Sequence, residues 1–379
     1  MLNKLLSLIW IAIDGGPCGG KTTALAKITK ALERIGMLCV VVPEAATELI
    51  NEGIKPSVIG FVEFQRLVIK RQLKNEAAAA RKAKRLMKKH GKQCVIITDR
   101  GLLSGAAYLP GENRLSDFAA ILAEFGLTVE GVRSHYAGVI HLVTAADGAL
   151  EFYTCENNSA RTETPELARE RDLKTKQAWL GHQHLCIVAN RNPDGTKISF
   201  KAKERKAVRE VFRILGYPVP IEDEKRYEVA PFKPAKFPVP YEAVDIEQQY
   251  LVSSGPKTEE RVRVRTWLGE STYYYTKKWP NRSGADNEIE YLVSKKKMLE
   301  LLKRADPQSQ PIKKRRHYFV WKNQYFEADI FKGRHAGKFR LEREKTKRND
   351  KTTIPPFITV IRDITNDKSE RNRALARAA

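Results

Sequence analysis

The sequence is poor in cysteine and has no long apolar run. Its five cysteines are odd in number, all lie in the first half of the chain, and none is spaced as Cys-x-x-Cys. This usage indicates reduced thiols and argues against a fold stapled by disulfides or zinc. The apolar stretch near the start, residues 5–13, has nine residues, whereas a membrane span needs about 20. We therefore expect a cytoplasmic protein without a transmembrane segment or signal peptide.

Acidic residues are also scarce relative to basic ones. The chain has 68 Lys and Arg against 45 Asp and Glu, a formal net charge of +23, and both halves share the excess. With 379 residues, 42% of them hydrophobic, it has the composition of a folded protein with room for two or three domains. Such a charge favours polyanionic partners, namely nucleotides, nucleic acid or anionic lipid headgroups. A surface that is merely basic remains an alternative.

The first half alternates between two kinds of pattern. Short apolar runs occur at residues 8–13, 38–42, 93–98, 139–143 and 184–189. Runs of this length predict strands buried on both faces of a parallel sheet. Helical patterns, including residues 22–35 and 61–89, lie between them. We therefore predict an α/β domain over residues 1–216, with a parallel sheet flanked by helices.

A glycine-rich loop follows the first predicted strand. Residues 15–22 fit the pattern G-x-x-x-x-G-K-[ST] of a P-loop, or Walker A motif. Its glycines let backbone N–H groups surround phosphate at a helix N-terminus, while Lys21 reaches the β- and γ-phosphates and Thr22 holds Mg²⁺. The predicted cofactors are ATP or GTP with Mg²⁺. The residues predicted to bind them are Gly15, Gly16, Pro17, Cys18, Gly19, Gly20, Lys21, Thr22 and Thr23.

Charged side chains follow the next two predicted strands. Glu44 comes after the second strand, and Asp99 and Arg100 come at the end of the third. Because the carboxyl ends of parallel strands face the ligand crevice, we expect all three beside the P-loop. Asp99 is predicted to position Mg²⁺, Glu44 to accept a proton from an attacking hydroxyl, and Arg100 to contact phosphate. An alternative for Glu44 is that it only caps a helix.

These motifs, together with Phe64-Gln65, Gln72 and Glu76, resemble the P-loop kinase-type ATPases that include nicotinamide riboside kinase and relatives of deoxynucleoside kinases. The resemblance implies lid arginines that stabilise the transferring phosphoryl group. We assign this role to Arg161, just before the helix start predicted at Thr164-Pro165. For Arg169 and Arg171, a solvated basic helix is an equally good interpretation. Asn190 is a weaker candidate for contacting the nucleotide base.

The second half has a different character. Six prolines between residues 216 and 240 predict a linker over residues 217–240, followed by a second domain at 241–379. Runs at 245–251, 261–265 and 272–277 predict antiparallel strands. Alternation places Arg261, Arg263 and Arg265 on one strand face. Acidic residues alternate later in the same way, so that basic and acidic side chains line one lumen or, alternatively, face solvent.

Several of these segments resemble the CYTH, or triphosphate tunnel, family. They are residues 245–247, 263–265, 326–331, 341–344 and 363–367. The resemblance implies an α+β domain built on an antiparallel β-tunnel that binds triphosphate and divalent metal. It implies phosphate binding by Arg261, Arg263, Arg265 and Lys277, and metal binding by Glu247, Asp329, Glu342 and Glu344. Gln249 stands where the family has lysine, which removes a positive charge and favours binding without hydrolysis.

A P-loop kinase-like domain followed by a CYTH-like domain resembles the domain order of the trafficking protein family named for a defect in TRPL channel translocation. Members of that family are thought to bind GTP and acidic phospholipid headgroups. The leading hypothesis is a Mg-dependent phosphotransferase that uses a nucleotide triphosphate, with a tunnel domain that binds a phosphorylated acceptor or product. The second is a nucleotide-switched protein that recognises phosphoinositide or phosphatidic acid. The third is RNA 5′-end repair by a kinase joined to a triphosphatase.

Overall fold

The computed structural model of the chain divides into two compact units, Met1–Leu215 and Gly216–Ala379. The structure describes residues 8–112, 114–153, 164–216, 224–255, 257–280, 286–345 and 351–377. Among the described cysteines, Cys39 and Cys94 are free thiols, and Cys155 lies outside the described residues. No helix of the described ranges combines the length and the apolar character that a bilayer crossing requires.

The first unit is an alternation of strands and helices. In chain order it contains β1 (Ile9–Asp14), α1 (Lys21–Arg34), β2 (Leu38–Val42), α2 (Ala45–Asn51), α3 (Pro56–Ile59), α4 (Phe61–His90), β3 (Cys94–Asp99), a 3₁₀ segment (Leu102–Tyr108), α5 (Arg114–Glu124), α6 (Val129–His135), β4 (Gly138–Leu142), a 3₁₀ turn (Leu150–Phe152), α7 (Pro165–Ala178), β5 (Leu185–Val188) and α8 (Phe200–Ile214).

The five strands of this unit form a parallel sheet in the order β2-β3-β1-β4-β5. Their side chains are largely apolar because both faces of the sheet are covered. Apolar side chains of α1 and α8 pack on one face, and those of α4 pack on the other. The predicted parallel sheet flanked by helices is confirmed, and its carboxyl edge carries the P-loop between β1 and α1.

The second unit is mainly β. It contains β6 (Glu224–Val229), a 3₁₀ turn (Pro234–Lys236), β7 (Tyr241–Leu251), β8 (Glu259–Trp267), β9 (Glu270–Pro280), β10 (Asp286–Val293), α9 (Lys295–Leu302), β11 (Ile312–Trp321), β12 (Gln324–Lys332), a 3₁₀ turn (Gly333–His335), β13 (Phe339–Glu344), β14 (Val360–Asp363) and α10 (Asn372–Arg377). The strands pair antiparallel in the order β10-β9-β8-β7-β11-β12-β13-β6-β14, which confirms the predicted antiparallel sheet.

The two faces of this sheet differ in chemistry. On one face an apolar cluster forms around Phe319, Phe326 and Leu341 of β11, β12 and β13. Because side chains alternate along a strand, the register places charged residues on the opposite face. We call this side the charged face. Its members are Arg261, Arg263, Arg265, Lys314, Arg316, Glu327, Asp329, Arg340 and Glu342.

The predicted linker over residues 217–240 is wrong for residues 224–240. These residues contain β6, which pairs with β13 and β14 and so belongs to the second sheet. Tyr227, Phe232 and Phe237 also pack against its apolar cluster. The prolines flank β6 and shape the chain beyond it, and their density conceals the strand. Residues 217–223 lie outside the described ranges.

Candidate functional site

The P-loop is built around glycines that no other residue could replace without strain. A Cβ on Gly15 would lie 2.0 Å from the Leu142 carbonyl oxygen, and one on Gly19 would lie 2.5 Å from the same atom. Gly15 also has φ 138° and Gly20 has φ 86°, conformations that side chains rarely adopt. The chain can therefore turn tightly against β4 and enter α1, and the first N–H groups of a helix have no partner within the helix, as anion binding requires.

The lysine of the motif is folded against the loop. The Nζ atom of Lys21 donates to the carbonyl oxygens of Gly15 and Gly16 at 3.3 and 3.2 Å. Burial, and then the nearby charge of Arg100, lower the pKa of Lys21. Thr22 and Thr23 are exposed at the start of α1. A phosphate in the loop would offset the cost of burying this ammonium group, because an opposite charge favours the ionised form.

Asp99 is a half-buried carboxyl, and one of its two oxygens is buried without a donor among the described residues. Its Oδ1 atom has no hydrogen-bond partner among the residues that the structure describes. Burial, opposed by Lys21 and reinforced by Glu44, raises the pKa of Asp99 to about 6. A cation would satisfy this oxygen and offset the burial. The Thr22 hydroxyl and the Asp99 carboxylate are the oxygen ligands that Mg²⁺ prefers, so these residues fit the ion.

Arg100 joins the ends of three strands. It has φ 70° and its Nε atom donates to the Glu44 carboxylate. Its Nη1 atom donates to Asp14 Oδ1 at 3.2 Å and to the Gly15 carbonyl oxygen at 3.0 Å. The arginine is therefore held at the P-loop, as its predicted contact with phosphate requires.

The carboxyl group of Glu44 has a low pKa. Burial alone would raise its pKa, but the charges of Arg100 and Lys21 outweigh that effect and hold it at about 2. Glu44 precedes α2 but makes no capping bond to the described backbone of that helix, accepting instead from Thr47 Oγ1 at 2.8 Å. Because a carboxylate with so low a pKa binds a proton weakly, the predicted role of Glu44 as proton acceptor is not favoured by this geometry.

Asp14, the last residue of β1, holds the start of the P-loop in place. Its carboxylate is fully buried, and Oδ2 accepts from Ser104 Oγ and from Trp179 Nε1. Oδ1 accepts from the Gly15 amide at 2.8 Å. Sequence reasoning missed Ser104 and Trp179, since neither belongs to a recognisable pattern.

Asp172 on α7 also holds the P-loop in place, through hydrogen bonds that it accepts from backbone amides. One oxygen, Oδ1, accepts from the amides of Gly16 and Thr144, both at 2.9 Å, and lies 3.1 Å from Nε2 of His141. Burial would raise the pKa of Asp172, but His141 and Lys176 hold it far below its ordinary value. Sequence reasoning missed this residue because its surroundings on α7 are those of a solvated helix.

The lid arginines are placed as follows. Arg161 lies outside the described residues. Arg169 donates to the Ala146 carbonyl oxygen at 3.0 Å and to Glu166 at 2.7 Å. The Arg171 guanidinium lies 5.3 Å from the centre of the Tyr108 ring, which Arg100 also approaches at 5.9 Å. Tyr108 thus connects α7 with the P-loop edge through cation–π contacts.

In the second unit, Arg316 is the centre of the charged face. It makes a bidentate pair with Asp329, at 2.6 and 2.7 Å, and also donates to Glu327 and Glu342. Lys314 contacts Asp329 as well. Burial opposes ionisation of Asp329 and Glu342, but these cations keep the pKa of both carboxyls below the ordinary range. The acidic groups of this face are therefore already neutralised by the protein.

The structure divides the metal ligands that were assigned by resemblance. Asp329 and Glu342 lie on the charged face, and Glu344 stands at the exposed end of β13. Glu247 is paired in register with Val264 on the other face, and its carboxylate lies 3.2 Å from Lys313. The prediction of Glu247 as a ligand beside Asp329 is therefore wrong, because strand alternation turns it away.

Other assignments also change. Carboxylate oxygens of Glu224 and Glu327, which were not assigned, lie within 4.8 Å of one another and of Glu342. Thr276 is paired in register with Arg261 and shares its sheet face, so the next residue, Lys277, lies on the opposite face from the arginines. There Lys277 donates to Ser254 Oγ at 3.0 Å. It was wrongly grouped with the phosphate-binding arginines. Gln249 is buried and donates to Tyr250 and Ser309 within the fold.

Comparisons with known proteins give matches for both structure and sequence. Among solved structures, the inorganic triphosphatase NE1496 is 23% identical over 42% of this chain and 96% of its own, with a TM-score of 0.32. The PH1819 protein from Pyrococcus horikoshii OT3 is 19% identical over 33% of this chain and 80% of its own, with a TM-score of 0.25. No curated protein matches the chain. Residues 10–194, which contain the P-loop, match the family model of an AAA domain.

Proposed function

We propose that the first unit is a magnesium-dependent phosphotransferase that uses ATP or GTP. The observation that carries the proposal is the buried Oδ1 of Asp99, which has no partner in the described part of the chain and lies at the same sheet edge as the P-loop. The glycine cradle fits a polyphosphate, and the match to an AAA domain supports nucleotide binding in general. Magnesium, when bound, supplies charge neutralisation for the β- and γ-phosphates.

Each residue of the candidate site has a separate role in the proposed reaction. Lys21 binds the phosphates, and Thr22 and Asp99 would hold Mg²⁺. Arg100 neutralises charge that develops on the transferring group, and the ion pair with Glu44 keeps its guanidinium in place. Because the transition state for phosphoryl transfer is loose, positioning and charge contribute more than a strong base does. We therefore assign Glu44 to positioning rather than to proton abstraction.

The fate of a labelled γ-phosphate tests the proposal. The full chain is incubated with Mg²⁺ and labelled ATP or GTP against nucleosides, nucleotides and polynucleotide 5′ ends. We compare the unaltered protein with Lys21→Ala and with the double variant Glu342→Ala/Glu344→Ala. Label that moves to an acceptor, is lost in Lys21→Ala and persists in the double variant supports the proposal. Free phosphate whose release depends on Glu342 and Glu344 would instead make the protein chiefly a triphosphatase.

A second candidate function concerns the second unit. The pairing of Arg316 with Asp329, Glu327 and Glu342 leaves the acidic groups of the charged face little capacity for a metal ion. This favours binding of a polyanion, such as an anionic lipid headgroup, over metal-dependent hydrolysis. The P-loop unit would then report nucleotide state. Flotation with vesicles that contain phosphatidic acid or phosphoinositide tests it, and the absence of binding at physiological salt would remove this candidate.

A further inference from the structure

A half-exposed aromatic ring lies against the P-loop. Phe200, the first residue of α8, is 50% exposed. A methyl group built on Gly20 would lie 2.9 Å from Cε2 and 3.4 Å from Cζ of this ring. The ring edge therefore borders the residue that immediately precedes Lys21, while about half of its surface remains uncovered. An exposed Phe ring gains free energy when an apolar or aromatic group covers it.

The position of this ring is fixed by its helix. Ser199 caps α8, since its Oγ atom accepts from the Ala202 amide at 3.3 Å. Lys27 of α1 pairs with the buried Glu204, and Ala207 of α8 is packed in the core beneath the sheet. These contacts join the N-terminal half of α8 to α1, the helix that follows the P-loop. The backbone that carries the ring is thus held beside the loop.

The polar side chain predicted to contact the base already hydrogen-bonds within the fold. The side-chain amide of Asn190, at the end of β5, donates to the carbonyl oxygens of Thr144 and Asp147, both at 2.7 Å. Its Oδ1 accepts from Lys203 Nζ at 2.8 Å. Because both ends of the amide serve the fold, Asn190 has no free edge to offer. Its weaker assignment to the nucleotide base therefore gives way to a different contact.

We infer that Phe200 is the ring on which the nucleobase stacks when the P-loop holds the triphosphate. The inference rests on the proposed nucleotide binding and adds the base-recognising residue. Every base has an aromatic face, so stacking on Phe200 contributes affinity without choosing between adenine and guanine. This agrees with the prediction of either ATP or GTP as the nucleotide.

The test compares ligands with and without a base. Calorimetric titration of the full chain with Mg²⁺ and ATP, GTP or inorganic tripolyphosphate gives dissociation constants, and only binding that Lys21→Ala removes is counted. The variants are Phe200→Ala, the conservative Phe200→Tyr, and Phe61→Ala as a matched control. Phe61 is likewise the first residue of a helix and 45% exposed. Stacking on an aromatic residue predicts a loss of about five- to 150-fold for ATP and GTP in Phe200→Ala.

The expected pattern is specific to the base. Tripolyphosphate affinity stays unchanged in Phe200→Ala, and Phe200→Tyr and Phe61→Ala retain ATP affinity. Equal losses for ATP and tripolyphosphate would overturn the inference, because they would show that the ring only supports the loop. Unchanged ATP affinity, or an unaltered protein that binds ATP no more tightly than tripolyphosphate, would overturn it as well. Normal ATP binding without phosphoryl transfer would instead refute only the proposed activity.

Discussion

Removing the Asp172 carboxylate should destabilise the first unit strongly. In Asp172→Ala the buried amides of Gly16 and Thr144, each 2.9 Å from Oδ1 in the native protein, lose their acceptor. A buried donor left unsatisfied costs about 1–3 kcal/mol, so two of them cost about 2–6 kcal/mol of the free energy of unfolding. Asp172→Asn keeps a carbonyl oxygen for both amides and should lose less, because it forfeits mainly the attraction of His141 and Lys176 for the carboxylate charge.

Urea denaturation of the full chain, followed by circular dichroism, measures these differences, with the transitions of the two units fitted separately if they do not coincide. Glu170→Ala is the matched control, since Glu170 lies two residues earlier on α7 and makes an exposed pair with Lys174. Its expected effect is less than about 1 kcal/mol. If Asp172→Ala lowered the free energy of unfolding no more than this control, the role of Asp172 in holding the P-loop to α7 would be refuted.

Three further changes have defined outcomes. Gly15→Ala should abolish Lys21-dependent ATP binding in calorimetry because its Cβ would lie 2.0 Å from a backbone carbonyl oxygen, and unchanged affinity would contradict the loop geometry. Burial lowers the pKa of Lys203 to about 8. At this side chain the unfolded state therefore binds more protons than the folded state between about pH 8 and 10, so Lys203 contributes a free energy of unfolding that rises with pH in this window. Because burial also lowers the pKa of Lys21 and Lys314, the free energy of unfolding of Lys203→Met, from thermal unfolding, should rise less steeply than that of the unaltered protein, and an identical slope would contradict the assignment. Arg316→Ala should lower the free energy of unfolding by about 3–5 kcal/mol in urea denaturation because it deprives the buried Asp329 of its bidentate partner, whereas the exposed Arg315→Ala should cost less than about 1 kcal/mol. Equal effects for the two arginines would contradict the charged face.

Local patterns of the sequence predict most of the first unit. Each of the five apolar runs becomes a strand whose ends lie within two residues of the predicted ends. A strand of four to six apolar residues needs both faces of its sheet covered, so the apolar runs by themselves predict the strands of a buried sheet. The helices α1 and α4 end close to their predicted limits, where Gly36 and Gly91 adopt positive φ. In the second unit, prolines mislead the prediction, since a strand bounded by prolines looks like a linker until its partners are known.

The candidate site is only partly predictable. The P-loop is continuous in sequence, so its residues follow from a single pattern. Asp172 and Trp179 reach the loop from 156 and 165 residues away, and only tertiary packing brings them there. The sign of a pKa shift also depends on residues distant in sequence. Glu44 and Asp99 both lie at the ends of strands, but Arg100 pairs with Glu44, and Asp99 Oδ1 has no partner among the residues that the structure describes. For Glu247, a resemblance in sequence did not determine which sheet face it occupies.

The transfer rate of Asp99→Asn tests the central claim most directly. Asparagine keeps the size of the side chain and removes the charge, so ATP affinity should change only a few-fold if the glycine cradle and Lys21 bind the triphosphate. Single-turnover transfer of labelled γ-phosphate to the best acceptor at saturating Mg·ATP should fall by about 100-fold or more, since small losses of positioning at the reacting centre have effects of that size. An unchanged transfer rate would contradict the claim that this sheet edge is a phosphoryl-transfer site.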